Sequence, residues 1–159
     1  MKRGRALEIV CEQLLVEIAK YDDSISNVQR NKVLYAQHGK RECDIEFVKS
    51  RNGHDYLVMV EVKCSYKGIV RSLFDEPRFV TNGKQRVFVY GVIDQAETLM
   101  TCGKYDIGIL ISDGNFEGRV KRRAEAMGLM VVEGDTLRKD VKKHLGYKTI
   151  DDAMDRVYH

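Results

Sequence analysis

An Asn52-Gly53 turn between two strand-like segments constrains the fold of this chain more than any other feature. Residues 42–49 and 56–65 have the composition of β-strands, and Asn-Gly favours the left-handed backbone conformations that close a tight hairpin. Residues 32–37 also have strand composition. We therefore predict an antiparallel meander of three strands.

The segments on either side of this meander indicate a mixed α/β fold. Apolar residues recur at helical spacing over residues 4–20, which predicts an amphipathic first helix. Near the other end, residues 106–112 are predicted to form a buried strand, residues 116–127 a helix and residues 129–132 a further strand. A strand, a crossover helix and a second strand favour a parallel strand pair.

The length of 159 residues favours one domain. We predict a main domain over residues 1–137, and a C-terminal helical extension of the same domain over residues 138–159. The middle of the chain gives the weakest pattern. We predict a loop with room for a short helix over residues 66–83 and a second long helix over residues 85–101.

The net charge is +3, which is too small to identify a polyanionic partner by itself. Its distribution is more informative. Residues 1–90 carry 16 Lys and Arg against 12 Asp and Glu, whereas residues 91–159 carry 11 against 12. We therefore expect any contact with nucleic acid to lie mostly in the first half.

The sequence gives no indication of a membrane or a secreted protein. Its apolar segments fall far short of the ~20 residues that cross a bilayer, and acidic residues interrupt the N-terminal run that a signal peptide needs. We predict a cytoplasmic protein without membrane contact. The four cysteines show no Cys-x-x-Cys spacing, which predicts buried, reduced thiols rather than a zinc or redox site: Cys11, Cys43, Cys64 and Cys102.

Charged residues occur in the strand-like segments where an inner strand is expected to be apolar. Glu61 and Lys63 share one face, because alternate side chains of a strand point the same way. If the hairpin pairs the two segments, Asp44 approaches Glu61, and two facing carboxylates repel each other unless a cation lies between them. Mg²⁺ suits such a site, because it takes oxygen ligands and keeps several waters. The alternative is an edge-strand ion pair between Glu61 and Lys63.

The pattern of an acid, any residue and a lysine is weak by itself, because it also occurs at Asp140-Val141-Lys142. That second copy lies in a highly charged run, which an exposed helical face explains. The copy that ends at Lys63 closes an apolar segment and follows Asp44 at the distance that a hairpin requires. We therefore take the first copy as the candidate site.

Asp44, Glu61 and Lys63, preceded by a first helix with acidic residues, resemble the PD-(D/E)xK nuclease superfamily. The archaeal Holliday junction resolvase and Mrr-type endonuclease branches are the closest. The resemblance spans roughly residues 4–137 and includes Gly4-Arg5-Ala6-Leu7-Glu8 in the first helix and, near the end, Asp106 to Ser112, Asn115-Phe116, Ala124, Gly128-Leu129 and Glu133 to Leu137. It implies a restriction-endonuclease-like α/β fold, in which helices flank a central mixed β-sheet in the order α-β-β-β-α-β-α-β.

The resemblance implies a magnesium-dependent DNA endonuclease that hydrolyses phosphodiester bonds. Asp44 and Glu61 would bind the metal, with the carbonyl oxygen of Val62 as a further ligand. Lys63 would be the catalytic lysine. We expect Mn²⁺ to substitute for Mg²⁺. Structure-specific cleavage, as by a junction resolvase, and cleavage in restriction, repair or recombination stay open.

Glu8 would complete the site from the first helix. Glu12 lies one helical turn later on nearly the same face and competes with it. Two positions depart from the family pattern: Cys43 stands where a proline usually precedes the acid corresponding to Asp44, and Glu61 replaces the glutamine common in Mrr-type enzymes. The glutamate favours the resolvase-like branch. Glu46 shares a strand face with Asp44 and could assist it, although a solvated strand carboxylate is the simpler interpretation.

Six further residues are predicted to contact DNA. Three surround the predicted acids and three follow the predicted catalytic strand: Arg5, Lys40, Arg41, Tyr66, Lys67 and Arg71. We also expect a homodimer, because one domain of this size covers only one scissile phosphate at a time.

Other functions remain compatible with the sequence. A catalytically silent nucleic-acid-binding module, or an accessory subunit with a structural polar cluster, would retain the fold without turnover. A nuclease of the tRNA-splicing type would work without metal through a His/Tyr/Lys set, which this chain does not display at recognisable spacing.

Overall fold

Helices and strands alternate along the chain in the computed structural model, which describes residues 2–36, 39–71, 78–89 and 91–158. In chain order the elements are α1 (Arg3–Ala19), β1 (Ile25–Ala36), β2 (Gly39–Arg51), β3 (His54–Lys63), β4 (Ile69–Val70), β5 (Arg78–Asn82), β6 (Gln85–Val89), α2 (Val92–Gly103), β7 (Ile107–Ser112), β8 (Asn115–Phe116), α3 (Gly118–Ala126), β9 (Met130–Val132), α4 (Gly134–Leu145) and α5 (Ile150–Tyr158). The main elements follow the predicted order α-β-β-β-α-β-α-β.

Five strands form the central sheet in the order β1-β2-β3-β7-β9. The first three form the predicted antiparallel meander. β7 pairs in parallel with β3, and β9 pairs in parallel with β7. Parallel neighbours need a crossover connection, and α2 and α3 lie in these two connections. The predicted α/β fold with a central mixed sheet flanked by helices is confirmed.

The helices pack on the two faces of this sheet and bury two apolar clusters. One cluster joins α1, α4 and α5 to the sheet, with Leu7, Val60 and Leu137 among its buried residues. The other joins α2 and α3 to the opposite face and includes Leu99 and Leu110. β7 contributes to both clusters, which explains why its sequence is apolar almost throughout.

β1 begins earlier than predicted, at Ile25 rather than at residue 32. The sequence composition did not indicate a strand over residues 25–31, because this segment contains Asn27 and Asn31, which are typical of loops. Both lie inside the strand with φ values of 54° and 61°. Asparagine tolerates this left-handed conformation better than most residues. The pairing with β2 also shifts register between Ser26 and Gln29, which marks a bulge.

The prediction for the middle of the chain is wrong at two points. Residues 85–89 form β6, which pairs with β5, so the helix begins at Val92 instead of residue 85. The segment 66–83, predicted as a loop with room for a short helix, contains β4 and the whole of β5, and its residues 72–77 lie outside the described residues. The third predicted helix starts at Gly118, because the two residues of β8 pair with β4.

The C-terminal segment is helical, as predicted, but its first helix begins at Gly134, before the predicted boundary at residue 138. α4 and α5 both contact α1, and Val141 and Met154 are buried with the residues of α1. Of the cysteines, Cys11 and Cys43 are buried and the other two are half-buried, all as free thiols. Within the described part of the chain, no helix has the length and apolar character needed to span a membrane.

Candidate active site

The candidate site lies where the pairing of β2 with β3 ends. The last cross-strand pair at this end is Ile45 with Val60. At the next position, side chains take the place of the backbone ladder: the Asp44 amide N–H donates to Glu61 Oε1 at 3.2 Å, and the Val62 amide N–H donates to Asp44 Oδ2 at 2.7 Å. Each carboxylate is therefore held by the backbone of the opposite strand.

The buried residues on either side of Asp44 pack in different apolar clusters. Cys43 packs in the cluster with α2, whereas Ile45, two residues later, packs in the cluster with α1. In a regular strand these two side chains would lie on one face. Asp44 lies between these two residues, and its carboxylate contacts both Val62 of β3 and Glu8 of α1.

Lys63 stands beside the carboxylates, as the sequence predicted. Its Nζ lies 3.7 Å from Glu61 Oε2 and donates a hydrogen bond to Gln95 Oε1 at 2.6 Å. Gln95, on α2, was missed by the sequence analysis. A glutamine in an amphipathic helix carries no pattern that would link it to a lysine on a distant strand, so only the tertiary structure reveals this contact.

α1 supplies Glu8 to the site. Its side chain hydrogen-bonds with Asp44, and burial, assisted by the charge of Asp44, raises the pKa of Glu8 to about 7. Glu12 instead lies 3.5 Å from Arg30 on β1. Of the two competing acids, the structure therefore brings only Glu8 to Asp44.

The site lies largely out of solvent, and this changes the acidity of its carboxyl groups. Glu61 is 1% exposed, and burial followed by the charge of Asp44 raises its pKa to about 8. Burial also raises the pKa of Asp44, against the opposing effect of the Val62 amide. Among the described residues, Glu61 Oε2 finds no hydrogen-bond partner. A buried carboxylate oxygen without a partner is costly, and a cation would compensate it.

The donor set fits a magnesium ion of the kind that retains water. No group of three or more His, Cys, Asp or Glu side chains suited to a metal exists in the described ranges. Asp44 and Glu61 offer two carboxylates, and one of their oxygens is Glu61 Oε2, which accepts no hydrogen bond and has only the Lys63 ammonium 3.7 Å away. Mg²⁺ is usually held by one or two carboxylates and keeps several waters, so two carboxylates and a backbone carbonyl such as that of Val62 are compatible with it.

Three of the six predicted DNA contacts lie around these acids. A cavity of about 540 Å³ is lined by Arg5, Lys40 and Arg41 together with Glu8 and Asp44. The Asn31 amide satisfies both of its ends when its oxygen faces Arg5: that oxygen then accepts from the Arg5 guanidinium at 3.3 Å, and the nitrogen donates to Glu42 Oε1 at 2.6 Å.

The other three predicted contacts are not among the lining residues of this cavity. Tyr66 and Lys67 lie in a tight turn after β3, and Arg71 Nε lies 3.9 Å from Glu117. Glu46, the other strand acid considered, accepts a hydrogen bond from the Tyr105 hydroxyl at 2.6 Å. This contact gives Glu46 a structural role.

No protein-family model and no curated protein matches the chain. Among solved structures, it is similar to protein VC1899 from Vibrio cholerae, with 23% identity and a TM-score of 0.59 over 89% of this chain and 33% of that one. The MspJI restriction endonuclease in complex with a 27-mer oligonucleotide shows 12% identity and a TM-score of 0.47, over 98% and 31% of the two chains. The DNA modification-dependent restriction endonuclease AspBHI shows 10% identity and a TM-score of 0.48, over 99% of this chain and 40% of that one. The chain thus spans about a third of VC1899, and this likeness concerns the fold alone.

Proposed function

We propose that this chain is a metal-dependent nuclease that hydrolyses phosphodiester bonds of DNA. The observation that carries the proposal is the pairing of half-buried Asp44 with fully buried Glu61, with the ammonium group of Lys63 3.7 Å from Glu61. Burial raises the pKa of both carboxyl groups, which makes their charged forms costly in the folded protein, and such perturbed groups are concentrated at functional sites.

Each residue has a chemical task in this proposal. Asp44 and Glu61 would hold Mg²⁺, with the carbonyl of Val62 as a further ligand. A bound Mg²⁺ supplies positive charge to the phosphate and lowers the pKa of a water. Lys63, oriented by Gln95, stabilises the negative charge that develops on the phosphate. Glu8 can hold or release a proton beside Asp44 near neutral pH.

The substrate would enter along the cavity next to the acids. Arg5, Lys40 and Arg41 provide positive charge there for the phosphate backbone. Substitution of Mn²⁺ for Mg²⁺, a homodimer, a cytoplasmic location and the resolvase-like branch remain predictions.

A cleavage assay tests the proposal. We expect cleavage of labelled linear, branched or single-stranded DNA with Mg²⁺ and none with EDTA. Asp44→Ala and Lys63→Ala should each lower the rate by about a hundredfold or more, because each removes charge stabilisation at the reacting phosphate. Lys142→Ala is the matched control, because Lys142 belongs to the second acid-x-lysine copy and is exposed on α4. Full activity of Asp44→Ala would overturn the assignment.

Calorimetry separates a nuclease from a silent module that retains the fold. The wild-type protein should bind Mg²⁺ without DNA, and Asp44→Asn should abolish that binding while leaving the fold intact. Binding of DNA without Mg²⁺ binding or cleavage would instead support the silent module.

A further inference from the structure

Two exposed tyrosines stand next to lysines, one at the end of the β1–β2 hairpin and the other in the turn that follows β3. Tyr35 is 75% exposed, and Lys40 Nζ lies 5.9 Å from the centre of its ring. Tyr66 is 72% exposed, and Lys67 Nζ lies 5.5 Å from its ring centre. Each pair combines an aromatic surface with a positive charge.

Both pairs lie on segments that continue past the same end of the β2–β3 ladder. β1 and β2 remain paired beyond the last β2–β3 pair, Ile45 with Val60, and continue to Ala36 with Gly39. Because β2 and β3 are antiparallel, the segment of β2 before Ile45 and the segment of the chain after β3 extend in the same direction. Asp44 and Glu61 lie just beyond the last β2–β3 pair, where both segments begin.

The turn that carries Tyr66 is firmly anchored. The Tyr66 N–H donates to Ile69 O at 3.1 Å, and the Ile69 N–H donates back to Tyr66 O at 3.2 Å. Lys67 and Gly68 between them have φ values of 51° and 81°, as in the tight turns of two-residue hairpins. The Asn115 N–H fixes this turn from β8 by donating to Gly68 O at 2.8 Å.

The Tyr35 segment is anchored as well. The Cys102 thiol of α2 donates to Tyr35 O at 2.7 Å. Rigid presentation of an exposed ring lowers the entropic cost of binding a partner. Hydrogen bonds therefore hold the backbone at both tyrosines, while their rings remain in solvent.

We propose that the two Tyr–Lys pairs bind unpaired nucleotides next to the site, so that the substrate is a nucleic acid with a single-stranded segment beside the cleaved phosphate. Aromatic rings stack on bases of any sequence, and the lysines attract the adjoining phosphates. Bases offer their faces to a protein only where they are unstacked, in single strands, bulges and ends. This inference rests on the proposed nuclease function, since it identifies the substrate of that site.

Binding measurements on metal-free protein test the inference without cleavage. Two labelled DNAs are compared: a perfect duplex, and the same duplex interrupted by an unpaired segment that contains 2-aminopurine. Wild-type protein should prefer the interrupted DNA and quench the 2-aminopurine by stacking. Tyr35→Ala and Tyr66→Ala should each weaken that binding by about fivefold to a hundredfold, and Tyr→Phe should restore both affinity and quenching.

Tyr21→Ala is the matched control, because Tyr21 is 82% exposed and follows the far end of α1. It should bind both DNAs as the wild type does. Equal affinity of the wild type for the two DNAs would overturn the inference, as would unchanged affinity of the Tyr35→Ala/Tyr66→Ala double variant for the interrupted DNA.

The two proposals fail in different ways. If the wild type cleaves DNA with Mg²⁺ but the double variant still binds unpaired DNA normally, the stacking inference is wrong and the nuclease proposal stands. If stacking is observed but Asp44→Ala does not affect cleavage, the nuclease proposal is wrong.

Discussion

The fold buries the carboxyl group of Glu61 even when no cation is bound. It is 1% exposed, and without a cation its pKa rises from 4.5 to about 8 because of burial and the nearby Asp44. The folded protein therefore holds a proton on Glu61 over a pH range in which the unfolded chain has lost it. The protonation of Glu61 can therefore be detected in the metal-free protein through the pH dependence of its stability.

The metal-free protein should lose stability as the pH rises from about 4.5 through 8. In this range the folded state binds more protons than the unfolded state, so the free energy of unfolding falls with pH. Glu61→Gln keeps the shape of the side chain without its charge. This variant should show a shallower decline of stability with pH, because only the contributions of Glu8 and Asp44 remain. Urea unfolding between pH 5 and 9 in EDTA measures this, and Mg²⁺ should restore wild-type stability at high pH. Identical pH profiles of the variant and the wild type would contradict the prediction.

Gln95 should influence turnover through Lys63. Its Oε1 accepts a short hydrogen bond from the lysine ammonium, and a hydrogen bond to a charged group contributes about 1.5–3 kcal/mol. Gln95→Ala should therefore lower kcat about tenfold to a hundredfold, with KM nearly unchanged, because the substrate is still bound but Lys63 is less well oriented. Glu97→Ala, at an exposed position of the same helix, is the control. An equal loss in both variants would indicate damage to α2 instead.

At the level of elements, α4 starts at a glycine that has no room for a side chain. A Cβ at Gly134 would lie 2.5 Å from the backbone oxygen of Asp113, whereas a Cβ at Gly118, which starts α3, would meet first the flexible Arg122 side chain at 3.1 Å. Gly134→Ala should thus destabilise the protein by about 1–3 kcal/mol, and Gly118→Ala should be neutral or stabilise it by up to about 1 kcal/mol. Urea unfolding compares the two variants; similar effects would show that the start of α4 can shift.

Sequence patterns predicted the elements whose constraints are local. The Asn52-Gly53 hairpin, α1 and the parallel pair of β7 and β9 were all found from turn chemistry and apolar periodicity. Elements that depend on distant partners were missed. Residues 85–89 contain valines and a phenylalanine that suit either a helix or a strand. Pairing with β5 makes this segment a strand. The same limit applies to the candidate site: strand alternation and the hairpin predicted that Asp44, Glu61 and Lys63 lie together, but no pattern pointed to Gln95.

Considered as a whole, the sheet has two edges that are poorly suited to pairing with another chain. β1 is interrupted by the left-handed Asn27 and Asn31, and β9 is only three residues long. Bulges and short strands are common protection against edge-to-edge association. We therefore expect the predicted homodimer, if it is formed, to use helices or loops rather than the extended sheet.

The charge of the molecule offers a test of where nucleic acid lies. Lys40→Gln/Lys67→Gln removes two charges near the site, and Lys139→Gln/Lys142→Gln removes two exposed charges from α4, so the two variants have the same net charge. If the lysines near the site contact phosphates, the first variant should reduce the slope of log affinity against log salt by about 0.7 per contact on single strands. The α4 variant should retain the wild-type slope. Because overall charge is matched, a difference in slope can arise only from location, and equal slopes would exclude these lysines from the phosphate path.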